Sequence, residues 1–213
     1  MSERKELNRY IVFEGNDGSG KTTIAETIAQ KLRGDVVYTK EPGSPHLKFC
    51  KDVRQLIIHG KEQNLDDITY AHLFYADAHE NLRQIVEPSL KAGKWVVSDR
   101  SVLSNLAYWP INVQYVHLKH HDWFADLNPL IFYLYVTPEE CLRRITSRAK
   151  EMNEFEKSHV VDKLETIHWR YENLVLDEIL SKELTYHQIN NMRPIEDVID
   201  VVWGLIISNY KEV

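Results

Sequence analysis

Short apolar segments alternate with longer amphipathic segments along the whole chain. Five apolar segments have the composition of buried strands, and they cover residues 10–13, 36–39, 94–98, 130–136 and 184–189. Apolar residues recur at helical spacing in the segments between the strands and after the last one. The predicted helices cover residues 24–32, 47–58, 68–90 and 194–209, together with one helix that begins at 138 and another that ends at about 180. This alternation is typical of a mostly parallel sheet with helices on both faces. We therefore predict one α/β domain over residues 1–213.

The helical boundaries are least defined around two prolines. Pro88 lies inside the predicted helix over 68–90, where it would shorten or kink the helix. Residues 104–109 predict a short helical turn that ends at Pro110, and residues 112–124 have a weaker helical pattern.

The first predicted strand leads into a glycine-rich segment with a specific spacing. Residues 15–22 read GNDGSGKT, a full match to the phosphate-binding loop G-x-x-x-x-G-K-[ST]. A strand before the motif and a helix after it provide the context that the motif requires. The residues that we expect to bind a nucleoside triphosphate are Gly15, Asn16, Gly18, Ser19, Gly20, Lys21, Thr22 and Thr23.

The residue types in this loop explain its chemistry. Its glycines let backbone N–H groups point into one concavity, and the positive end of the following helix faces the same concavity. Lys21 would place its charge among the β- and γ-phosphates, while Thr22 would offer a hydroxyl to Mg²⁺. ATP is thus the expected phosphoryl donor, and Mg²⁺ is the expected metal.

Charged residues also follow two of the other predicted strands. Glu41 lies in a turn after the second strand, and Asp99 and Arg100 end the third. Because ligands of parallel sheets bind beyond the carboxyl ends of the strands, these residues should meet the glycine loop at one site. Asp99 could hold the water shell of Mg²⁺, and Arg100 could bind a phosphate. An ordinary ion pair at a strand end is the alternative.

A basic cluster occupies the polar segment 143–156. Arg144 and Arg148 are four residues apart, so they would share one face of a helix. Two guanidinium groups on one face could close over a transferring phosphoryl group and neutralise its charge. A solvated helix end is the commoner explanation of an isolated basic cluster.

Three histidines, His117, His120 and His121, could also share a helix face. Carboxylates and cysteines with metal-ligand spacing do not surround them, so we predict a solvated face rather than a metal site.

The composition favours a protein with small ligands. The net charge is −6 and the sequence has no basic run, which argues against a nucleic-acid polymer as partner. Cys50 and Cys141 fit no metal pattern and indicate reduced thiols in a cytoplasmic protein. Neither a signal peptide nor a run of about 18 apolar residues is recognisable, so we expect no membrane insertion.

Five motifs spread over nearly the whole chain carry a resemblance to a known family. They are FEGNDGSGKTT at 13–23, TKEPGS at 39–44, LFYAD at 73–77, SDRSVLSNLAY at 98–108 and RRITSRAKEMNEFE at 143–156. With these motifs the chain resembles thymidylate kinases, within the P-loop nucleoside monophosphate kinases. The resemblance implies a three-layer P-loop fold with a small lid near residues 143–156.

The resemblance also implies roles around the phosphates. Lys21 and the loop amides would hold ATP, with Thr22 and Asp99 at Mg²⁺. Asp17 would lie near the acceptor sugar and the metal, and Arg100 would grip the acceptor phosphate. Because the glycine loop has no arginine, the catalytic arginine would come from the lid, through Arg144 or Arg148.

Further residues would surround the acceptor nucleotide by the same resemblance. Phe74 would stack on a pyrimidine base, and Tyr108 would crowd the ribose 2′ position and so favour deoxyribose. The complete set of implied acceptor-binding residues is Asp17, Glu41, Pro42, Arg54, Phe74, Arg100, Ser104, Asn105 and Tyr108.

The chain departs from the family pattern mainly where the base is read. Ala78 replaces the arginine that usually reaches the thymine O4, Ser101 replaces a tyrosine, and Trp109 replaces a glutamine. Asn153-Glu154 replaces an Asp-Arg pair in the lid. A lost arginine removes a charge-assisted hydrogen bond worth about 1.5–3 kcal/mol, which is enough to change the choice of base.

We therefore expect an ATP- and Mg²⁺-dependent kinase that converts dTMP to its diphosphate. The alternatives are dUMP, a 5-substituted dUMP or a broader range of deoxynucleoside monophosphates. A regulatory GTPase would need a guanine motif N-K-x-D, which the sequence lacks. A kinase of purine nucleotides or nucleosides and a homologue that only binds nucleotide are further alternatives. The resemblance also implies a homodimer.

Overall fold

The computed structural model describes residues 7–60, 64–109, 118–147 and 154–210. Its strands are β1 (Tyr10–Glu14), β2 (Val36–Lys40), β3 (Trp95–Asp99), β4 (Leu130–Tyr135) and β5 (Thr185–Asn190). Its helices are α1 (Lys21–Lys31), α2 (Lys48–His59), α3 (Asp67–Asn81), α4 (Glu87–Lys91), α5 (Ser104–Tyr108), α6 (Leu118–Asp126), α7 (Pro138–Thr146), α8 (Glu154–Arg170), α9 (Leu176–Ser181) and α10 (Ile195–Asn209).

The five strands form one parallel sheet in the order β2-β3-β1-β4-β5. Each neighbouring pair is parallel, with Tyr10 of β1 opposite Val96 of β3 and Ile11 opposite Leu130 of β4. β1 is central, and the chain passes to one side of it for β2 and β3 and to the other for β4 and β5. The α/β class, the five strands and the parallel sheet that the sequence predicts are therefore confirmed.

The sheet has a separate apolar core on each face because side chains alternate along each strand. Tyr10 and Val12 of β1 face the core formed with α3, α4, α5, α6, α8 and α9. Ile11 and Phe13 face the opposite core, which α1 and α10 cover. β4 repeats this alternation, so both faces of the sheet are buried under helices, as the three-layer prediction requires.

The long helices differ from the predicted ones in their continuity. A five-residue π-helical turn, Leu82–Val86, separates α3 from α4, and Pro88 lies in the first turn of α4. A proline has no N–H to donate, so the first turn of a helix tolerates it. A second π-helical turn, Tyr171–Val175, separates α8 from α9. The first helix begins at Lys21 rather than at Ile24, directly after the glycine loop.

The connections at the carboxyl ends of the strands gather at one edge of the sheet. Residues 15–20 link β1 to α1, residues 41–47 follow β2, and residues 100–103 follow β3. Between β3 and β1, the N–H of Arg100 donates to the carbonyl of Phe13 at 2.9 Å. No helix in the described parts of the chain is long and apolar enough to span a membrane.

Candidate active site

The glycine loop is held in shape by its own lysine and by α8. The Nζ of Lys21 donates to the carbonyl oxygen of Asn16 at 2.7 Å and to Oγ of Ser19 at 3.3 Å. The Nδ2 of Asn16 donates to the carbonyl oxygen of Leu164 at 2.8 Å, which joins the loop to α8. The loop can therefore keep its shape before a nucleotide binds.

Lys21 is the buried cation of the loop. Its side chain is almost inaccessible, so desolvation, followed by repulsion from Arg100, lowers the pKa of Lys21 to about 8. A triphosphate placed beside Lys21 would reverse this shift, because an anion favours the protonated form.

Thr22 and Asp99 fit the metal that the sequence analysis assigns to them. The hydroxyl of Thr22 donates to Oδ2 of Asp99 at 2.5 Å, which joins α1 to the end of β3. The Oδ1 atom of Asp99 is buried and accepts no hydrogen bond from any described residue. A hydroxyl and an unpaired carboxylate oxygen are ligands that suit Mg²⁺ or its bound water.

Arg100 holds the centre of the site with its guanidinium group. Its side chain is 12% exposed, and Nη2 forms a salt bridge of 2.5 Å with Asp17, the acidic residue of the glycine loop. The pKa of Asp17 is lowered, because Arg100 and Lys21 outweigh the desolvation that would raise it. The other acceptors, at 2.7 to 3.2 Å from Nη1 or Nη2, are the carbonyl of Gly15 and the hydroxyls of Ser104, Tyr108 and Tyr171.

Glu14 is a buried carboxylate beneath Arg100 that the sequence analysis does not assign. Its Oε1 accepts from the backbone N–H of Ser101 at 2.8 Å and from its hydroxyl at 2.7 Å. Its Oε2 accepts from the hydroxyls of Ser104 at 2.6 Å and Tyr171 at 2.9 Å. Because these two hydroxyls also contact Arg100, Glu14 fixes the groups that orient the guanidinium.

One cavity of about 570 Å³ joins the glycine loop to the predicted acceptor site. Lys21, Thr22 and Asp99 line its loop end. Every residue that the resemblance assigns to the acceptor also lines it, namely Asp17, Glu41, Pro42, Arg54, Phe74, Arg100, Ser104, Asn105 and Tyr108. The cavity therefore unites segments that are distant in sequence. These roles remain predictions, but the structure places the residues together.

An aromatic wall closes the acceptor end of the cavity. The rings of Tyr70 and Trp109 stack with centroids 5.6 Å apart and planes 7° apart. Phe74 packs against Trp109 at 5.0 Å and an angle of 57°. Ala78, at the position where the resemblance implies an arginine, is buried and carries no polar group. A planar base would therefore meet mostly aromatic surface here.

Buried carboxylates lie behind the acceptor end as well. The Oε1 of Glu41 accepts from Nδ2 of Asn81 at 3.0 Å, and desolvation raises the pKa of Glu41 to about 8. The Oδ1 of Asp77 accepts from the N–H of Gly43 at 2.9 Å, and desolvation raises the pKa of Asp77 to about 6. Arg54 donates to the carbonyl of Pro42 at 2.8 Å and so supports the same turn.

The lid residues are only partly described. Arg144 lies in α7, where Nε donates to Glu140 and Nη2 donates to the carbonyl of Asn191, each at 2.8 Å. The Nδ2 of Asn191 in turn donates to the carbonyl of Ser19 at 2.6 Å. Arg144 is therefore linked to the glycine loop through Asn191, and it is absent from the cavity lining. Its catalytic role stays a prediction, and Arg148 lies outside the described residues.

The histidines take part in packing. A ring nitrogen of His120 lies 3.0 Å from one of His79, and His121 lies 3.2 Å from a carboxylate oxygen of Glu178. Within the described residues, His, Cys, Asp and Glu form no cluster that could hold a metal ion. The predicted solvated face is wrong for His121, which is 3% exposed. His117 lies outside the described residues.

Sequence reasoning missed Tyr171 and Lys163 entirely. Lys163 lies in α8, and Tyr171 begins the π-helical turn that follows α8. Neither residue belongs to a motif. The sequence did contain an indication of the role of Glu14. This residue ends β1 immediately before the glycine loop, and a charge buried there requires hydrogen-bond partners.

The fold and the glycine-loop motif are those of a P-loop phosphotransferase, and Arg54 and Arg100 line the same cavity as the loop. The family model for thymidylate kinase matches residues 13–200. A probable thymidylate kinase of Thermococcus kodakarensis is 39% identical over 163 residues, covering 70% of this chain and 76% of that protein.

Two other relatives carry the same name. A thymidylate kinase of Buchnera aphidicola is 39% identical over 150 residues, covering 66% of this chain and 70% of that protein. A thymidylate kinase of Desulfotalea psychrophila is 33% identical over 164 residues, covering 75% and 79%. The chain belongs to the thymidylate kinase family, which confirms the resemblance found in its motifs.

Proposed function

We propose that this protein transfers the γ-phosphoryl group of ATP to dTMP and produces ADP and dTDP. The observation that carries the proposal is one cavity that is lined by the glycine loop and by Phe74, with Arg100 bonded to the loop between them. Such a cavity would place the donor phosphates at the loop opposite the phosphate of an acceptor nucleotide. The names of the relatives favour dTMP as the acceptor over dUMP, its 5-substituted forms and a broader set.

In the proposed reaction, an oxygen of the dTMP phosphate attacks the γ-phosphorus in line. The bond between the γ-phosphorus and the bridging β-oxygen breaks, and its electron pair leaves with ADP. Lys21 would hold the β- and γ-phosphates, and Arg100 would hold the acceptor phosphate. A general base is unnecessary because the acceptor phosphate is already ionised near neutral pH. The protein contributes mainly positioning and charge neutralisation.

Mg²⁺ would be held by Thr22 and Asp99 and would neutralise charge on the donor phosphates. Asp17 would lie between this metal and the acceptor sugar. When dTMP enters, its phosphate would compete with Asp17 for Arg100. Phe74 would stack on the thymine, and Tyr108 would exclude a ribose 2′-hydroxyl.

We also propose a cytoplasmic homodimer. The two cysteines are free thiols, as is usual in a reducing compartment. Large apolar side chains are exposed on α2, where Phe49, Leu56 and Ile58 are 46–55% accessible. Sedimentation velocity would report the oligomeric state directly.

A panel of acceptors tests the proposed reaction. Purified protein with ATP and Mg²⁺ should release ADP fastest with dTMP, compared with dUMP, 5-substituted dUMP, dCMP, dAMP and dGMP. Lys21→Ala should lower kcat roughly 100-fold or more, because it removes a charge at the transferring group. The control Lys94→Gln, at the opposite edge of the sheet, should remain active. Failure to release ADP with every acceptor would refute the proposal.

A further inference from the structure

Arg100 has little capacity left for a substrate phosphate. Its two Nη atoms, which carry four N–H groups, already face five acceptors, among them the carboxylate of Asp17 and the hydroxyl of Tyr108. Gripping a doubly charged phosphate with Arg100 alone would require breaking several of these bonds. With a second cation near Asp17 and Tyr108 to bind the phosphate, Arg100 would need to break fewer of these bonds.

Lys163 of α8 is a cation at this position. Its side chain lines the cavity, and its Nζ lies 6.0 Å from the centroid of the Tyr108 ring. It is also close enough to Asp17 to help lower the pKa of that carboxyl. Lys163 therefore lies near two of the five partners of the Arg100 guanidinium, Asp17 and Tyr108.

The ammonium of Lys163 is available. The residue is exposed, and none of the carboxylates in the described residues lies within salt-bridge distance of it. A phosphate that pairs with an exposed lysine faces only a small desolvation cost, in contrast to one that pairs with a buried cation. The four-carbon stem of lysine also allows the ammonium to move by several ångströms.

The backbone below Lys163 is anchored to the glycine loop. Leu164, the next residue, is buried and accepts the hydrogen bond from Nδ2 of Asn16 at 2.8 Å. The start of the Lys163 side chain therefore has a fixed position relative to the loop, while its charged end is free to move. This combination suits a residue that binds a ligand after the ligand has entered.

We propose that Lys163 is a further phosphate-binding residue of this enzyme, and that its ammonium contacts the phosphate of the acceptor nucleotide beside Arg100. The inference rests on the proposed function for the identity of the acceptor. It assigns to α8 a charge that Arg144 does not supply, because Arg144 is bonded to Glu140 and to the carbonyl of Asn191.

Comparing dTMP with thymidine tests this contact, because the two ligands differ only in the phosphate. Calorimetry should show that Lys163→Gln weakens dTMP binding about tenfold, the loss of one charge-assisted hydrogen bond. Thymidine binding should stay within about twofold of the wild type, since no phosphate contact is lost. Lys163→Arg should restore most of the affinity for dTMP, because it keeps the charge.

Steady-state kinetics supply a second measurement on the full chain. Lys163→Gln should raise KM for dTMP while leaving KM for ATP unchanged. Lys94→Gln is the matched control, since it removes the same charge from a partly exposed lysine at the amino ends of the strands, where its Nζ lies 3.8 Å from Asp35. Melting temperatures of both variants would show that each one folds.

Two results would overturn the inference. Equal affinities of Lys163→Gln and Lys94→Gln for dTMP would exclude a contact with the phosphate. A parallel loss of dTMP and thymidine binding would show a structural role instead. A wild-type protein that phosphorylates other acceptors but not dTMP would refute the proposed substrate. The role of Lys163 would then be tested in the same way, by comparing binding of the acceptor that the protein uses with binding of the matching nucleoside.

Discussion

At the scale of single residues, Arg100 depends on an unusual backbone conformation. Its φ of +76° lies in the left-handed region, which costs a non-glycine residue about 1 kcal/mol or more. The N–H of Arg100 donates a hydrogen bond to the carbonyl of Phe13. The side chain of Arg100 is fixed by hydroxyls that Glu14 orients. The strain is therefore offset by contacts that also direct the guanidinium into the cavity.

Tyr171→Phe should loosen this arrangement. It removes a hydroxyl that donates to Glu14 and accepts from Arg100 at 3.1 Å. We expect the free energy of unfolding to fall by about 1.5–3 kcal/mol, because a buried carboxylate loses a donor. The KM for dTMP should rise as well, since Arg100 loses one of its anchors. Urea unfolding and steady-state kinetics would measure the two effects.

Tyr186→Phe is the control for this variant. Tyr186 packs against the same core, and no described hydrogen bond involves its hydroxyl. If both variants showed a similar fall in the free energy of unfolding and a similar rise in KM for dTMP, the hydroxyl of Tyr171 would have no special role.

The sequence predicts the chemistry of single residues only where motifs carry it. Lys21, Thr22 and Asp99 follow from strand ends and a loop spacing, and the structure brings them together. Tyr171 could not be found in this way, because a π-helical turn begins at this residue and no local pattern predicts such a turn. Lys163 was missed for a related reason: one exposed lysine on a helix resembles any other.

At the scale of elements, the glycine loop and α7 are packed without a gap. A Cβ added to Gly18 would lie 2.7 Å from the carbonyl oxygen of Cys141, in the first half of α7. Gly18 also has a φ of +81°. The loop can therefore take its shape only because this position has no side chain.

Gly18→Ala should therefore be costly to both stability and activity. We expect a loss of more than about 2 kcal/mol in the free energy of unfolding, from backbone strain and from the clash with α7 together. The KM for ATP should rise, because the loop amides move. Gly34→Ala separates the two causes, since Gly34 has a φ of +87° and no atom within 4 Å of an added Cβ.

The control should show strain alone. Gly34→Ala is expected to lose about 1–2 kcal/mol of stability without any change in KM for ATP. Equal behaviour of the two variants in unfolding and in kinetics would contradict a packing role for Gly18.

The sequence predicts the order of elements better than their detail. Every strand was found, because strands buried on both faces are continuous apolar runs. The helices over 68–90 and up to 180 were predicted as continuous, with Pro88 as the expected irregularity. In the structure the irregularity begins before Pro88, at Leu82, because a π-helical turn shifts the hydrogen bonding so that Glu87 donates to Leu82.

At the scale of the whole molecule, the site places four buried carboxylates, those of Glu14, Glu41, Asp77 and Asp99, at one edge of the sheet. Glu14 is satisfied by four hydrogen bonds. Within the described residues, Glu41 accepts a hydrogen bond from the side chain of Asn81, and Asp77 accepts one from the N–H of Gly43. The buried Glu41 carboxyl, with a pKa raised to about 8, should make the stability of the fold depend on pH.

The sign of this dependence follows from the direction of the shift. Because the pKa of Glu41 rises from 4.5 to about 8 on folding, the folded protein retains a proton that the unfolded chain releases. This contribution to stability is complete below the unfolded pKa and is lost as the pH rises through the folded pKa. The decline can reach about 1.4 kcal/mol per pH unit for a single proton.

Glu41→Gln removes this proton while keeping a carbonyl oxygen that Asn81 can donate to. At pH 5 the variant and the wild type should have similar free energies of unfolding, since both carry a neutral side chain in the fold. As the pH rises from 5 to 8, the wild type should become progressively less stable than the variant, and above 8 the difference should level off. Urea unfolding at constant ionic strength would measure it. Glu165→Gln, at an exposed position of α8, controls for the loss of one charge. If the free energies of unfolding of the wild type and Glu41→Gln differed by a constant amount from pH 5 to 8, Glu41 would be ionised in the folded protein throughout, and the prediction would be wrong.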